Sequence, residues 1–295
     1  KADHKINLLD GTENHQEQSS SYSNSWESGV ALSVGGGAAL GVTASTAESQ
    51  QQAQGQQSHW RHSHVGTFDS HTTLESGDAT TFKGAQALGQ GVSVKAASLH
   101  IESLQDSGSY SGSAHSSGAG GTVGLGYAAG NAHYTKSRAQ SDYRSIGTAS
   151  GIYAGDDGFQ VDIKGHTQLI GGTIAGSEAA EAAGKNSFVT GTLQLQDLQN
   201  HSHSSGSGIS LAGGYSYDAK SAEPNRFNKS MGAIKSNTHE NGTTHASINT
   251  ANITIRDNDA QQALTGESVA ETAARANLGM WTENAQAQDG AVARP

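Results

Sequence analysis

Residues 151–175 read GIYAGDDGFQVDIKGHTQLIGGTIA, a series of short apolar runs separated by Gly and Asp. Runs such as Val161-Asp162-Ile163 and Leu169-Ile170 are too short for helices and are rich in β-branched residues. Short strands between Gly and Asp turns are typical of a parallel β-helix, in which each coil buries a few side chains against the next coil. The stretch therefore predicts such coils, with Asp156-Asp157-Gly158 as a turn.

The pattern around this stretch occurs three times. A short strand that ends at Leu9, Leu104 or Leu198 is followed each time by a Ser/Asn/Gln tract and a Gly-rich apolar segment. The near-constant spacing indicates a repeat architecture, in which each unit buries its apolar face against its neighbours. The expected units are residues 1–98, with a shortened coil part, 99–192 and 193–257, followed by a junction at 258–295.

The composition supports a scaffold more than a compact enzyme. Leu, Ile, Val and Phe number 44 of 295 residues, which resembles a disordered chain. Disorder is the weaker interpretation, because charge is low (17 basic, 27 acidic residues) and the apolar residues form strand-like runs. The net charge of −10 argues against nucleic-acid binding, and the absence of Cys excludes disulfides and thiolate metal sites. We expect an all-β protein, a right-handed parallel β-helix with projecting β-hairpins.

Each unit contains an alternating apolar segment interrupted by Gly, which is a hairpin signal. The expected turns are Gly35-Gly36-Gly37, Gly130-Asn131 and Gly213-Gly214. The candidate membrane-facing or partner-facing residues on these hairpins are Val30, Leu32, Val34, Leu40, Val42, Val123, Leu125, Tyr127, Tyr134, Ile209, Leu211, Tyr215 and Tyr217. Transmembrane strands alternate in this way and often carry interfacial aromatic residues. The hypothesis is that the hairpins enter or line a membrane as a joint sheet, and the alternative is that they pack along the side of the coils.

The other candidate sites are better explained as ordinary surface or structural features. His59, His62 and His64, and the pair His201 and His203, could bind a metal or sense pH, but they have no acidic partner at ligand spacing. Surface histidine is the better interpretation. The run 50–57, rich in Gln, is either a solvated loop or a polar ladder. The sequence predicts no catalytic residue, cofactor or metal site, and a polysaccharide-cleaving acid pair on a β-helix is the main enzymatic alternative.

The character of the chain changes after Ile253-Thr254-Ile255. The segment from about Ser268 to Leu278 favours a helix, in which Ser268 is the N-cap and Glu271 completes a capping box. The tail beyond Trp281 is too polar and Ala-rich to assign an ordered element.

Several of these strings resemble the haemagglutinin repeats of filamentous-haemagglutinin-like exoproteins. They include residues 151–159, 161–166, 171–175 and 191–193 with Asp197-Leu198. Residues 253–257, with Gln262, Leu264-Thr265-Gly266 and Ser268, are similar to the end of the second repeat region in contact-dependent growth inhibition effectors, where a pretoxin segment and a variable toxin follow. The chain itself begins part-way through a repeat and is expected to be a segment of something longer.

The resemblance implies a non-enzymatic scaffold and toxin-translocation segment of a large exoprotein on the surface of a Gram-negative bacterium, secreted by two-partner secretion. The implied partners are the target-cell outer membrane or its surface proteins, a downstream toxin domain of the same polypeptide, and an outer-membrane transporter for secretion. The alternative is an adhesin or biofilm filament, whose hairpins bind host or bacterial surfaces without entering a membrane.

Overall fold

A computed structural model describes residues 1–33 and 39–278 of the chain. The strands of these residues are β1 (Ile6–Leu9), β2 (Gly11–Ser33), β3 (Ala39–Arg61), β4 (Ser63–Val65), β5 (Thr72–Glu75), β6 (Ala79–Lys83), β7 (Ala85–Ala96), β8 (Ser98–Glu102), β9 (Asp106–Gly124), β10 (Tyr127–Ser145), β11 (Gly151–Ile163), β12 (His166–Ile170), β13 (Thr173–Ala175), β14 (Ser187–Thr190), β15 (Thr192–Gln196), β16 (Leu198–Asp218), β17 (Asn225–Thr244), β18 (Ser247–Ile248) and β19 (Ile253–Ile255). The helices are α1 (Glu178–Ala182), α2 (Asn258–Thr265) and α3 (Val269–Leu278). Within the described ranges, no helix is long and apolar enough to cross a membrane.

Two parallel sheets enclose the core. The first has the order β1-β6-β8-β12-β15, and the second joins β4, β5, β7, β11, β13, β14, β18 and β19. In β6, β8 and β12 every second residue is buried, so that one face of the first sheet points inward. Phe82 and Leu169 of this face meet Ile152, Phe159 and Phe188 of the second sheet in one apolar cluster. The few apolar residues of the chain are thus concentrated where the two sheets face each other.

The chain alternates between the two sheets. It passes from β6 to β7, to β8, to β11 and to β12, and the strands of the first sheet lie side by side in chain order. The all-β class is confirmed. The strand pairing in both sheets is parallel, as a β-helix requires, while the right-handed coil and the division into units stay predictions.

Three long hairpins leave the first sheet at equivalent places. They follow β1, β8 and β15, and each returns to a strand of the second sheet, β4, β11 or β18. All six hairpin strands pair antiparallel in one sheet of order β17-β16-β10-β9-β3-β2, called the hairpin sheet below. The polar tracts that lead into the alternating segments are therefore strands themselves. The Gln-rich run lies within β3 and pairs with β2 and β9, so it is not a loop.

Two of the three expected turns were wrong. The second hairpin reverses between Gly124 and Tyr127, where Gly126 has φ +74°, and not at Gly130-Asn131. The third reverses between Asp218 and Asn225, and Gly213-Gly214 lies inside β16. Glycine marks these positions because it lacks a side chain and not because the chain turns there. The turn expected at residues 35–37 lies outside the described residues.

The strands between the glycines are also longer than expected. β11 continues through Asp156-Asp157-Gly158, which is not a turn but a shift in its register with β7 between Ala154 and Gly158. Gly158 has φ +69° and lies against the Asn186 side chain, so a Cβ would not fit there. A bulge explains how an Asp-Asp-Gly string can interrupt a strand without ending it.

The helical junction packs against the end of both parallel sheets. α3 begins with the expected capping box, in which the Glu271 N–H donates to Ser268 Oγ (3.3 Å) and the Ser268 N–H donates to Glu271 Oε2 (2.8 Å). The hydrogen bonds from the Ser268 backbone and side chain lower the pKa of Glu271. The sequence did not predict α2, which places Gln261 against β15.

Candidate functional site

The hairpin sheet contains the longest strands of the described structure. Its strands β2 and β3 have 23 residues each, which corresponds to a length of about 75 Å at about 3.3 Å per residue. Six strands spaced by about 4.8 Å make it about 25 Å wide. Ordinary strands have about 5–6 residues, so these hairpins extend well beyond the parallel sheets that carry them.

The register of the hairpin sheet is unbroken and gives it two distinct faces. Val30 pairs with Val42, Val42 with Val123, Val123 with Ala128, and Ala128 with Tyr217. Because directly paired residues point to the same side of a sheet, one row of apolar side chains crosses five strands. The same parity places apolar residues of neighbouring rows on this side.

We call this side the apolar face. It is defined by Trp26, Val30, Val42, Val123, Tyr134, Ile209, Leu211, Tyr215, Tyr217, Phe227 and Met231. Most of these side chains are exposed within the part of the chain that the structure describes: Trp26 and Phe227 are both 73% exposed, Val30 is 71% and Met231 is 83% exposed. Large exposed apolar patches in other proteins often mark interaction sites, and the apolar face is therefore the candidate functional site.

The opposite side, called the small-residue face, has a different chemistry. A row across it consists of Glu27, Ser45, Gly120, Asn131 and Gly214. Gly, Ser, Ala and Thr dominate the neighbouring rows as well. The hairpin sheet is therefore amphipathic through its thickness, and the alternation in each strand is the cause.

The structure brings most of the expected site residues together. The apolar face contains Val30, Val42, Val123, Tyr134, Ile209, Leu211, Tyr215 and Tyr217. Leu32 and Leu40 form a cross-strand pair in the first hairpin, and Val34 lies outside the described residues. Two of the expected residues lie elsewhere on the second hairpin: Leu125 is in its turn and is 89% exposed, and Tyr127 pairs with Gly124 on the small-residue face.

Sequence reasoning missed four exposed residues on this side of the hairpin sheet: Tyr22, which pairs with Gln50 and lies in the same row as Ile209, and Trp26, Phe227 and Met231 of the apolar face. Tyr22 and Trp26 stand in the same even-numbered phase as Val30, so the alternation could have been followed backwards into the polar tract. Phe227 and Met231 lie on the return strand of the third hairpin, which the misplaced turn at Gly213-Gly214 concealed.

The exposed apolar residues of the apolar face lie in the distal part of the hairpin sheet. On β16 they extend from Ile209 to Tyr217, nine residues or about 30 Å. This height equals the hydrocarbon thickness of a typical bilayer, about 30 Å. Nearer the parallel sheets the same face carries Gln52, Gln54 and Ser109. The apolar zone is therefore bordered by polar residues on the side of the parallel sheets.

Two of the five candidate histidines, His59 and His201, lie close to acidic groups of neighbouring strands. His59 Nδ1 lies 3.5 Å from Asp106 Oδ2, and His201 Nε2 lies 3.4 Å from Asp142 Oδ2. Sequence spacing could not show these partners, because they are brought close by cross-strand pairing. In the part of the chain that the structure describes, no group of three His, Asp or Glu side chains could hold a metal ion.

Comparison with known proteins shows which family the chain resembles. Residues 1–119 match the model of the Hemagglutinin repeat family. The "Toxin CdiA" of Escherichia coli is 34% identical over 249 residues, which cover 79% of this chain and 8% of that protein. A "tRNA nuclease CdiA" of Escherichia coli is 34% identical over 86% of this chain and 8% of that protein. The "Deoxyribonuclease CdiA" of Yersinia pseudotuberculosis is 32% identical over 87% of this chain and 24% of that protein.

The chain is a haemagglutinin-repeat protein, as its parallel sheets, its three hairpins and the family match together indicate. Within that family, the chain belongs to the repeat region of the contact-dependent growth inhibition exoproteins. It spans about a twelfth of the length of the first of these relatives.

Proposed function

We propose that this chain is the scaffold and toxin-translocation segment of a large two-partner-secreted exoprotein, and that its hairpin sheet acts at the outer membrane of a target cell. The observation that carries the proposal is the exposed apolar face, whose height of about 30 Å matches the hydrocarbon core. The hairpin strands hold this face away from the two parallel sheets that enclose the core.

The remaining parts of the proposal rest on the family. The exoprotein is displayed on a Gram-negative cell after export through an outer-membrane transporter. A toxin domain lies downstream in the same polypeptide, as the relatives named nucleases suggest. The segment itself carries out no chemical step; it brings the toxin to the membrane.

The edges of the hairpin sheet add a condition to this mechanism. The outer strands β2 and β17 each pair on one side only within the described sheet. Unpaired backbone groups are costly in hydrocarbon, so entry into the bilayer requires partners for both edges. Further hairpins of the same polypeptide, aligned with the same register, would supply those partners.

The test shortens all three hairpins at the same cross-strand row. Ser23, Ser49, Ser116, Thr135, Ser210 and Gly232 form one cross-strand row. In the full-length exoprotein, residues 24–48, 117–134 and 211–231 are each replaced by an Asn-Gly turn. Surface display, target-cell binding and target-cell killing are then measured separately. We expect killing to be lost while display and binding remain.

A second variant keeps the strands and changes only the surface. Trp26, Val42, Val123, Leu211 and Met231 are replaced by Ser, which removes the apolar face. The matched control replaces Thr43, Ala47, Thr122, Ala129 and Ala212 of the small-residue face by Ser. Loss of killing in the first variant alone supports translocation. Loss of target-cell binding would instead make the hairpins an adhesive surface, and unchanged killing would contradict the proposal.

A further inference from the structure

The apolar face also carries an unexpected charge. The whole chain has a net charge of −10, yet this face presents Lys136, Arg138 and Lys235, all exposed. Arg144 and Lys229 belong to the same side, which carries Glu48 and Asp142 as its acidic residues. The small-residue face has the opposite balance, with acidic residues such as Glu13, Glu17 and Glu27 on β2. The two faces of the hairpin sheet therefore differ in charge as well as in polarity.

Three of the five basic residues lie at the border of the apolar zone that is nearer the parallel sheets, while Lys229 lies within the zone, where it pairs with Gly213. Arg138 pairs with Ser207, and Ser207 pairs with Lys235, so both cations stand in one row. Lys136 lies one row further out and pairs with Ile209, the first apolar residue of β16. In the described part of the chain, none of the three cations is in an ion pair.

Two adjoining depressions on this face fit the two ends of an amphiphile. A basic one of about 360 Å³ includes His115, Lys136 and Arg138 in its lining. A second one of about 680 Å³ includes Leu211, Met231 and Lys229 in its lining. The Tyr134 side chain belongs to both, and an aromatic ring with a polar tip suits the border between apolar and charged surroundings.

We propose that the apolar face binds anionic phospholipid, with the head-group phosphate between Lys136 and Arg138 and the acyl chains along the groove of Leu211 and Met231. The occupant is a membrane surface rich in anionic head groups, and charge complementarity selects it. The inference rests on the membrane contact of the proposed function and specifies its lipid. Each basic residue near an anionic surface strengthens binding about fivefold.

The experiment is vesicle flotation of the full-length polypeptide. One set of vesicles is phosphatidylcholine alone, and the other contains phosphatidylcholine and phosphatidylglycerol at about 7:3. We expect tighter binding to the anionic set, and a decrease of this preference with salt, because the contact is at the surface. Lys136→Gln, Arg138→Gln and Lys235→Gln together should reduce binding to the anionic set about a hundredfold and leave binding to the neutral set unchanged.

The matched control removes three exposed cations elsewhere, Lys5→Gln, Lys95→Gln and Lys164→Gln. It should bind like the unchanged protein, since these residues lie outside the hairpin sheet. A control variant that loses as much as the test variant would reduce the effect to net charge and overturn the inference.

A competition arm separates head groups from free anions. Inorganic phosphate at matched ionic strength should displace little protein from anionic vesicles if the acyl chains contribute, and complete displacement would contradict the lipid assignment. Equal binding of the unchanged protein to both vesicle sets overturns the lipid preference and leaves membrane contact intact. Binding to neither set would count against the proposed function as well.

Discussion

The Gln261 side chain takes the place of a neighbouring strand at the end of the first parallel sheet. It is buried, and its Oε1 accepts the Leu193 N–H at 2.7 Å while its Nε2 donates to the Leu193 carbonyl at 2.8 Å. One side-chain amide thus satisfies both backbone groups of Leu193 on the outer edge of β15. A free parallel edge invites further pairing, and α2 closes it here.

Gln261→Leu should destabilise the protein, because Leu193 would keep a buried N–H and a buried carbonyl without partners. The expected loss is about 1–3 kcal/mol for each group, measured by denaturant unfolding and by amide exchange in β15. Gln262→Leu is the matched control, since the next side chain on α2 is exposed. Its change should stay within about 0.5 kcal/mol. Equal effects of the two substitutions would refute the edge-closing role.

His166 is expected to make the free energy of unfolding depend on pH. Its ring is partly buried, with Nδ1 2.9 Å from Thr192 Oγ1, and burial together with the nearby His100 lowers the pKa of His166. A lowered pKa means that the unfolded chain binds this proton more readily, so stability is present above the ordinary value of about 6.5 and is lost as the pH falls through it.

Denaturant unfolding at about pH 7.5 and about pH 5 should show lower stability at the acidic pH, and His166→Gln should reduce the difference. His15→Gln, on the exposed surface of β2, should leave the difference as it is. If His166→Gln changes nothing in the pH dependence, the lowered pKa does not contribute to folding.

Among the elements, α3 depends most clearly on a local sequence signal. Ser268→Ala removes the oxygen that accepts the Glu271 N–H and should cost about 1 kcal/mol, while Ser268→Asp keeps an acceptor and most of the stability. Amide exchange in α3 measures both variants. Ser268→Asp behaving like Ser268→Ala would show that the hydroxyl is not acting as a cap.

An element can be predicted from the sequence when the signal that determines it is local. Alternation and capping residues indicate the positions of β1, β19 and the start of α3. Each of these signals lies inside the element or directly next to it. The turns of the second and third hairpins could not be read from Gly130 or Gly213. Glycine in these strands leaves room for neighbouring strands and side chains, and which glycine turns the chain depends on cross-strand register.

The sequence predicted individual residues of the candidate site, but it did not predict that they form one surface. Alternation identified Val30, Val123 and Leu211 one hairpin at a time. Their common face depends on pairing between different hairpins, such as that of Val42 with Val123, which lie 81 residues apart in the sequence. The border of Lys136 and Arg138 was missed for the same reason, since neither residue stands out within its own strand.

For the whole molecule, the joint sheet follows from matching dimensions. In the first parallel sheet, β1, β8 and β15 carry hairpins, while β6 and β12 lie between them without one. Successive hairpins are therefore two strand spacings apart, about 9.6 Å, and each hairpin is itself two strands wide. Because the two widths agree, neighbouring hairpins meet at hydrogen-bonding distance without bending.

Removing the middle hairpin tests this match. Replacing residues 106–145 by a short turn leaves a gap two strands wide between β3 and β16, which neither neighbour can close without leaving its base. Isolated two-stranded hairpins are marginally stable, so amide protection in β2, β3, β16 and β17 should fall while the parallel sheets keep theirs. Replacing residues 198–244 removes an edge hairpin instead, and the remaining four strands should stay protected. If both deletions have the same effect on β2 and β3, pairing between hairpins does not stabilise the sheet, and the spacing of the repeat must have another cause.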